Sequence, residues 1–248
     1  MSGADRILIL GGTGEGIALA SALTSLPGRR VISSLAGRVA NPKLPPGEVR
    51  IGGFGGVEGL AAYLRENKIR AVIDATHPFA RRMGWNAAAA SQTTNTPLLR
   101  FERPAWMPQP GDHWIDVADW DEAVNVLRGK ARRVFLALGR QELAPFTALK
   151  DIAFVIRAVD APDADLAFAD AEIVLARGPF KLADERVLLQ SRGIDHLVCK
   201  NSGGDATDAK LQAARELGVT VIMQRRPPRP DVPKVSDVQA AVDWVRSL

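Results

Sequence analysis

Residues 6–17 read Arg6-Ile-Leu-Ile-Leu-Gly-Gly-Thr-Gly-Glu-Gly-Ile17, a run of four apolar residues that leads directly into a glycine-rich turn. A run that is apolar on both faces predicts a parallel strand buried between helices. Behind the turn, Ile17, Ala20 and Leu23 recur at helical spacing until Pro27-Gly28 ends the pattern. The order strand, glycine turn, helix directs backbone N–H groups and the positive end of a helix at one point, which favours a bound phosphate.

The turn is similar to the G-x-G-x-x-G fingerprint of dinucleotide-binding proteins. Gly11 and Gly16 occupy the first and third glycine positions, and Thr13 replaces the middle one. The Thr13 hydroxyl could donate to a phosphate, although its methyl group limits close approach of the backbone. We therefore predict a nucleotide site here that includes Gly12, with a turn that only packs a strand on a helix as the alternative.

The end of the second predicted strand bears on the choice between NAD and NADP. Residues 30–34 form this strand, and the segment that follows it carries no carboxylate. A carboxylate at this point binds the ribose 2′-hydroxyl in many NAD enzymes and would repel a 2′-phosphate. Ser34 and Arg38 can instead bond and neutralise a phosphate, so the segment favours NADP. The alternative is a polar turn with a solvated arginine.

A third strand is predicted around residues 49–51 and a fifth at 97–101. The fourth predicted strand, residues 71–74, runs through Ala75 into Thr76-His77-Pro78. In the doubly wound strand order 3-2-1-4-5, the fourth strand lies beside the first at the topological switch point. We therefore expect Thr76 and His77 to face the glycine turn, where His77 could contact the cofactor or the substrate. The alternative is a histidine that caps the following helix.

The chain divides at residues 104–112, which contain three prolines and show no periodicity. We interpret this segment as a domain linker. The predicted fold class is α/β, with a Rossmann-like doubly wound parallel sheet in an NADP-binding domain at 1–103 and a second, smaller α/β domain at 113–248. The second half should contain strands near 114–117, 134–138, 154–158, 194–200 and 219–223 and helices near 121–128, 141–149, 182–192, 205–217 and 237–248.

Two strand ends in the second half are candidate anion sites. One ends in Gly139-Arg140, and the other in Lys200-Asn-Ser-Gly-Gly204 ahead of a predicted helix. Both are strand-to-helix turns that combine backbone N–H groups with a cation. Lys200 is also a candidate proton donor, or the charge that orients one. The alternative for the second site is a turn capped by Asp205, with Lys200 solvated.

The composition narrows the classes of partner. The net charge is +4 and aromatic residues make up only 6%, so a base-stacking platform for nucleic acid is not expected, whereas a mildly basic surface suits an anionic small molecule. The single cysteine, Cys199, and three separated histidines offer no disulfide framework and no metal site. No secretory or membrane-spanning run is present, so we expect a cytoplasmic protein; its oligomeric state is not indicated.

Taken together, these motifs resemble the precorrin-6A reductase family, the NADPH-dependent enzymes of corrin ring (cobalamin) biosynthesis. Six pieces carry the resemblance, spread in order over most of the chain: Leu10-Gly-Gly-Thr-Gly-Glu-Gly16, Ser34-Leu-Ala-Gly-Arg38, Asp74-Ala-Thr-His-Pro-Phe-Ala80, Arg100-Phe-Glu-Arg-Pro-Ala-Trp106, Leu138-Gly-Arg140 and Lys200-Asn-Ser-Gly-Gly204. The third and sixth pieces are far more specific together than the glycine turn alone. The segment Arg225-Arg-Pro-Pro-Arg-Pro230 has no matching piece in this comparison.

The resemblance implies NADPH held between two domains, reduction of one double bond of precorrin-6A to give precorrin-6B, and a tetrapyrrole substrate with many carboxylates. No metal or flavin is required. The implied catalytic residues are Lys200 and His77. The implied cofactor contacts are Gly11, Gly12, Thr13, Gly16, Ser34, Arg38, Thr76, His77, Gly139, Arg140, Asn201, Ser202 and Gly203. The implied substrate contacts are Arg81, Arg103, Lys200 and Gly204, with Arg140 adding to the basic charge.

Three other functions compete with this interpretation. A short-chain dehydrogenase needs a Tyr-x-x-x-Lys pair, but the only tyrosine, Tyr63, is followed four residues later by Asn67. A redox sensor would bind NADP without turnover and usually carries a nucleic-acid or partner module, which the sequence does not show. A pair of α/β domains that transfers sugars would bind nucleoside diphosphate sugars more tightly than NADPH.

Overall fold

The computed structural model describes residues 5–37, 42–161 and 166–248. The chain forms two compact units, Met1–Pro104 with Pro227–Leu248 and Ala105–Arg226. Each unit contains a six-stranded sheet in which the described strand pairs are all parallel.

The strands are β1 Asp5–Leu10, β2 Arg29–Leu35, β3 Glu48–Ile51, β4 Ile69–Asp74, β5 Leu98–Phe101, β6 Trp114–Val117, β7 Arg133–Ala137, β8 Ala153–Ala158, β9 Ala171–Leu175, β10 His196–Lys200, β11 Thr220–Gln224 and β12 Lys234–Val235. The α-helices are α1 Gly14–Thr24, α2 Val57–Glu66, α3 Arg81–Thr94, α4 Trp120–Leu127, α5 Leu182–Ser191, α6 Ala209–Leu217 and α7 Val238–Arg246. Short 3₁₀ turns cover Arg140–Glu142, Ala144–Ala148 and Asp205–Thr207.

The first sheet has the strand order β12-β5-β4-β1-β2-β3, which confirms the doubly wound order predicted for the first five strands. Strand β1 lies at the switch point between β2 and β4. Its residues 7–10 are all buried, as expected for a strand covered by helices on both faces. The carboxyl ends of β1 and β4 therefore meet at the edge where this fold binds its ligands.

The end of the chain belongs to the first unit, which corrects the predicted second domain of 113–248. Strand β12 pairs with β5, and Val242 and Val245 of α7 pack in one core cluster with Leu19 and Leu23 of α1. Both units show the same alternation of strand and helix, so the periodicity of α7 could not reveal which sheet it covers.

The predicted linker is also placed differently. The chain passes from the first unit to the second between Pro104 and Ala105. Trp106 and Asp112 then form hydrogen bonds within the second unit, to Asn201 and Arg215. A proline-rich segment without periodicity can be ordered by side-chain contacts that the pattern does not reveal.

The second sheet has the order β6-β11-β10-β7-β8-β9, and the five strands predicted for this half are present. The edge strand β9 was missed. The predicted helix at 141–149 is instead two 3₁₀ turns, because Pro145 lacks the N–H that a continuing helix needs. The predicted helix at 205–217 begins as a 3₁₀ turn, and α6 starts only at Ala209.

Candidate active site

The glycine turn of the first unit lies between β1 and α1, as the sequence predicts. Gly12 has φ of +110°, a conformation that side chains disfavour. A Cβ on Gly16 would be in ordinary van der Waals contact, 3.5 Å from the Gly11 Cα and 3.7 Å from the Ala75 Cβ, so Gly16 lies between the turn after β1 and the loop after β4. Gly11 is already bonded through its N–H, which donates to the Ser34 carbonyl at 2.9 Å.

Thr13 uses its hydroxyl within the protein. The hydroxyl donates to the Ala75 carbonyl at 3.0 Å and accepts the Gly16 N–H at 3.1 Å as the N-cap of α1. This arrangement differs from the expectation that Thr13 donates its hydroxyl to a phosphate. Thr13 instead ties the turn after β1 to the turn after β4, and only its backbone can serve an anion without breaking the bond to Ala75.

Arg103, predicted to contact substrate, is paired with Glu15 in the first turn of α1. One guanidinium nitrogen lies 2.8 Å from both carboxylate oxygens. Burial acts to raise the pKa of Glu15, but hydrogen bonds from its own backbone and from Arg103, together with the arginine charge, outweigh burial and leave the pKa below the usual 4.5. Arg103 is therefore directed at the glycine turn.

Ser34 lies buried at the end of β2 and accepts a hydrogen bond from Arg50 at 2.9 Å. The Arg50 guanidinium also donates to the Gly52 and Gly53 carbonyls and stacks 3.8 Å from the centre of the Phe54 ring. Arg38 lies outside the described residues. Arg50 was missed in the sequence, although it precedes the Gly-Gly-Phe-Gly-Gly run.

The loop after β4 is organised by the buried Asp74 carboxylate. This carboxylate accepts the backbone N–H of Thr76 at 3.1 Å and its hydroxyl at 2.6 Å, and it pairs with Arg229. The His77 Nδ1 accepts the Phe79 N–H at 3.2 Å, so a neutral His77 ring carries its proton on Nε2. This bond holds the His77 ring to its own loop. Its donor, Phe79, directly precedes Ala80, the N-cap residue of α3.

A small pocket of the first unit lies between the glycine turn and the loop after β4, where a doubly wound sheet binds its ligands. Its lining comes from the turn after β1, the loop after β4 and the end of β5: Thr13, Glu15, Ala75, Thr76, Pro78, Phe101, Glu102 and Arg103. Arg81 is exposed at the first residue of α3. The structure thus brings Thr76 together with the glycine turn.

In the second unit, the two predicted anion sites are on neighbouring strands, because β7 pairs with β10. Lys200, at the end of β10, forms an ion pair with Glu142 of the turn that follows β7. Gly139 and Arg140 lie at the start of the same turn. The sequence did not single out Glu142.

Asn201 and Gly204 are engaged by Trp106. The Asn201 side chain accepts the Trp106 N–H at 2.8 Å and donates to the Trp106 carbonyl at 2.9 Å. The Trp106 Nε1 donates to the Gly204 carbonyl at 2.8 Å. The Asn201 amide, predicted to contact the cofactor, thus fixes the loop to Trp106.

Arg226 holds the same loop from another direction, and the sequence did not identify it. Its guanidinium donates to the Asn201 carbonyl at 3.0 Å and to the Ser202 carbonyl at 3.1 Å. In a planar trans peptide, the N–H of the following residue points opposite to the carbonyl. The Gly203 N–H therefore faces away from Arg226, and the Asp205 N–H faces away from Trp106.

Cys199 is buried in β10, and burial raises the pKa of its thiol to about 11. Within residues 5–37, 42–161 and 166–248, no cluster of three His, Cys, Asp or Glu side chains could hold a metal. The helices in those ranges are all too short or too polar to cross a bilayer.

Comparison with known proteins adds an independent line of evidence. A family model described as "Precorrin-6x reductase CbiJ/CobK" matches residues 6–246. The "Precorrin-6A reductase" of Rhodococcus erythropolis is 51% identical over 98% of this chain and 98% of its own length. The protein of the same name from Mycobacterium tuberculosis strain H37Rv is 49% identical, again over 98% of both chains. A solved structure titled "CobK precorrin-6A reductase" superposes with a TM-score of 0.93 at 43% identity, over 98% of this chain and 96% of that chain.

Proposed function

We propose a function on the premise that this chain belongs to the precorrin-6x reductase family, oxidoreductases of cobalamin biosynthesis. The function is reduction of one double bond of the precorrin-6A macrocycle by NADPH, which gives precorrin-6B. The observation that carries this proposal is the family match over residues 6–246. It is supported by precorrin-6A reductases that are 51% and 49% identical to this chain over 98% of its length. A cytoplasmic location is part of the same proposal.

The first unit is the proposed cofactor lobe. Its glycine turn and the first turn of α1 direct N–H groups at the carboxyl edge of the sheet, where a pyrophosphate would be stabilised. Thr76 and Pro78 line the pocket beside this turn. When bound, the nicotinamide supplies the hydride, and the protein supplies orientation and electrostatics.

Ser34 and Arg50 support NADPH over NADH. A guanidinium 2.9 Å from the Ser34 hydroxyl places positive charge at the end of β2, where the fold holds the ribose 2′ position. Arginine suits a phosphate because its planar fork can donate two parallel hydrogen bonds. Arg50 is therefore proposed as a contact of the 2′-phosphate, alongside the predicted Arg38.

Exchange of Arg50 for glutamine tests this assignment. We expect the Kd for NADPH to rise by about tenfold or more, as for loss of a charge-assisted hydrogen bond, and the Kd for NADH to stay within about twofold. Binding can be followed by fluorescence titration. If Arg50→Gln weakens the binding of NADPH and NADH equally, Arg50 acts instead by ordering the loop of residues 52–56.

Lys200 is the proposed proton donor. Hydride addition to one atom of the double bond requires a proton at the other, and Lys200, paired with Glu142 at the end of β10, is the residue proposed to supply it. Arg81, Arg103 and Gly204 are the proposed contacts of the substrate carboxylates, with Arg140 adding to the basic charge. Ser202 and Gly203 are proposed contacts of the cofactor. His77, held by its Nδ1 bond, would present Nε2 to the ligand.

The decisive experiment is addition of precorrin-6A to enzyme and NADPH with the absorbance of both followed. We expect NADPH oxidation matched by the spectral change of the macrocycle, and a strong fall of kcat in Lys200→Met with NADPH binding retained. Binding of NADPH without turnover would favour a redox sensor. Tighter binding of nucleoside diphosphate sugars than of NADPH would favour a transferase.

A further inference from the structure

The segment Arg225-Arg-Pro-Pro-Arg-Pro230 has no role in the function derived so far. It is the stretch in which the chain leaves the second unit at Arg226 and re-enters the first at Pro227. Two of its three arginines are half-buried, and each contacts a loop of its own unit that carries proposed site residues.

Arg226 contacts the loop that follows Lys200. Its two donated bonds take up the consecutive carbonyls of Asn201 and Ser202, at 3.0 and 3.1 Å. These bonds set the planes of two successive peptides, and thereby the direction of the Gly203 N–H. Because Asn201 directly follows Lys200, the same bonds limit where the Lys200 backbone can lie.

Arg229 contacts the loop after β4. It pairs with Asp74, with only 8% and 4% of the two side chains exposed, and it donates to the His77 and Pro78 carbonyls at 3.3 Å each. A Cβ on Gly84 of α3 would lie 2.7 Å from three atoms of the Arg229 guanidinium, Cζ, Nε and Nη2. The glycine inside this helix therefore makes room for the arginine.

We propose that Arg226 and Arg229 are positioning residues, which hold the Lys200–Gly204 loop and the Thr76–His77 loop in the conformations that bind ligand. This inference rests on the proposed function. Each guanidinium donates to at least two acceptors of its loop, whereas a lysine ammonium would keep the charge without the planar fork of donors.

The test compares Arg226→Lys and Arg229→Lys with Arg225→Gln, a matched control in which an exposed arginine of the same segment is changed. We expect Arg229→Lys to raise the Kd for NADPH about tenfold and Arg226→Lys to lower kcat about tenfold. The control should stay within about twofold of the wild type. Gly84→Ala, which displaces Arg229 without removing it, should reproduce the effect of Arg229→Lys.

Hydrogen exchange of residues 74–80 and 201–205 gives a readout that needs no substrate. Each lysine variant should speed exchange in its own loop by about tenfold, at an unchanged fraction of folded protein. Wild-type exchange and kinetics in both lysine variants would overturn the inference. A different outcome is that the wild type and the Arg225→Gln control are inactive, while exchange in the two lysine variants is faster as expected. That result would contradict the proposed function and leave the positioning roles in place.

Discussion

The Thr13 hydroxyl shows how a polar side chain beside a ligand turn can serve the turn itself. It joins Ala75 to Gly16, and Asn201 joins its loop to Trp106 in a similar way. Polar groups that are partly withdrawn from water need partners, and for these two part-buried side chains the partners are backbone groups. At the scale of single residues, much of the site is built by side chains that shape other residues.

Replacement of Thr13 by valine tests this role. Valine keeps the β-branched shape but loses the cap of α1 and the bond to Ala75. We expect the free energy of unfolding to fall by about 1–2 kcal/mol, as for other lost N-caps, and NADPH binding to weaken because the turn is less ordered. Denaturant unfolding measures the first effect. Thr13→Ser, which keeps the hydroxyl, should retain most of the stability and of the NADPH affinity. If the serine and valine variants lose stability equally, the hydroxyl does not have this role.

The ion pair of Glu15 and Arg103 predicts a pH dependence of stability. The pKa of Glu15 is lowered in the folded protein, so its contribution is fully present above about pH 4.5 and is lost as the pH falls through the folded pKa. We expect Glu15→Gln to be less stable than the wild type near pH 7, by about 1 kcal/mol or less, with the gap closing in acid. A gap that is constant from pH 7 to pH 3 would show that the charge is not responsible.

At the scale of elements, glycines decide how closely helices approach other backbone. Gly59 lies in the first turns of α2, where an added Cβ would be 1.7 Å from the Phe54 carbonyl oxygen. The loop of residues 52–56 therefore folds directly onto α2, and the same loop accepts bonds from Arg50. A backbone atom cannot rotate away as a side chain can.

Gly59→Ala should therefore destabilise the protein although alanine is the better helix former. Propensity would favour alanine by about 1 kcal/mol, but overpacking costs about 1–3 kcal/mol or more, and here it falls on backbone. Gly14→Ala is the matched control, because its Cβ would meet nothing within 4 Å in the first turn of α1. Thermal unfolding should show a clear loss for Gly59→Ala alone; equal midpoints for the two variants would refute the contact.

At the scale of the whole molecule, the chain makes two crossings between its units. The first unit is completed by α7, whose Ala241 and Val245 are fully buried in the core cluster that contains Leu19. Stability of the amino-terminal sheet thus depends on the last residues of the chain.

Val245→Ala should reveal this dependence. Removal of two buried methyl groups is expected to cost about 1.5–3 kcal/mol. Hydrogen exchange should become faster in β1 and β4, which are distant from Val245 in the sequence, while β10 and β11 keep their protection. Loss of protection first in β11, the strand nearest in sequence to α7, would assign the helix to the second unit.

The sequence by itself determined the α/β class, the order of the first five strands and the family, because buried parallel strands and glycine turns are local patterns. It also identified Ser34, Thr76 and Lys200 as polar residues at strand ends.

Only the tertiary structure decided where α7 packs and which partners the polar side chains have. Arg50, Glu142, Arg226 and Arg229 are ordinary charges in the sequence, and they become parts of the candidate site through contacts that mostly join distant segments. Such contacts depend on the register and packing of whole sheets, which no local pattern encodes.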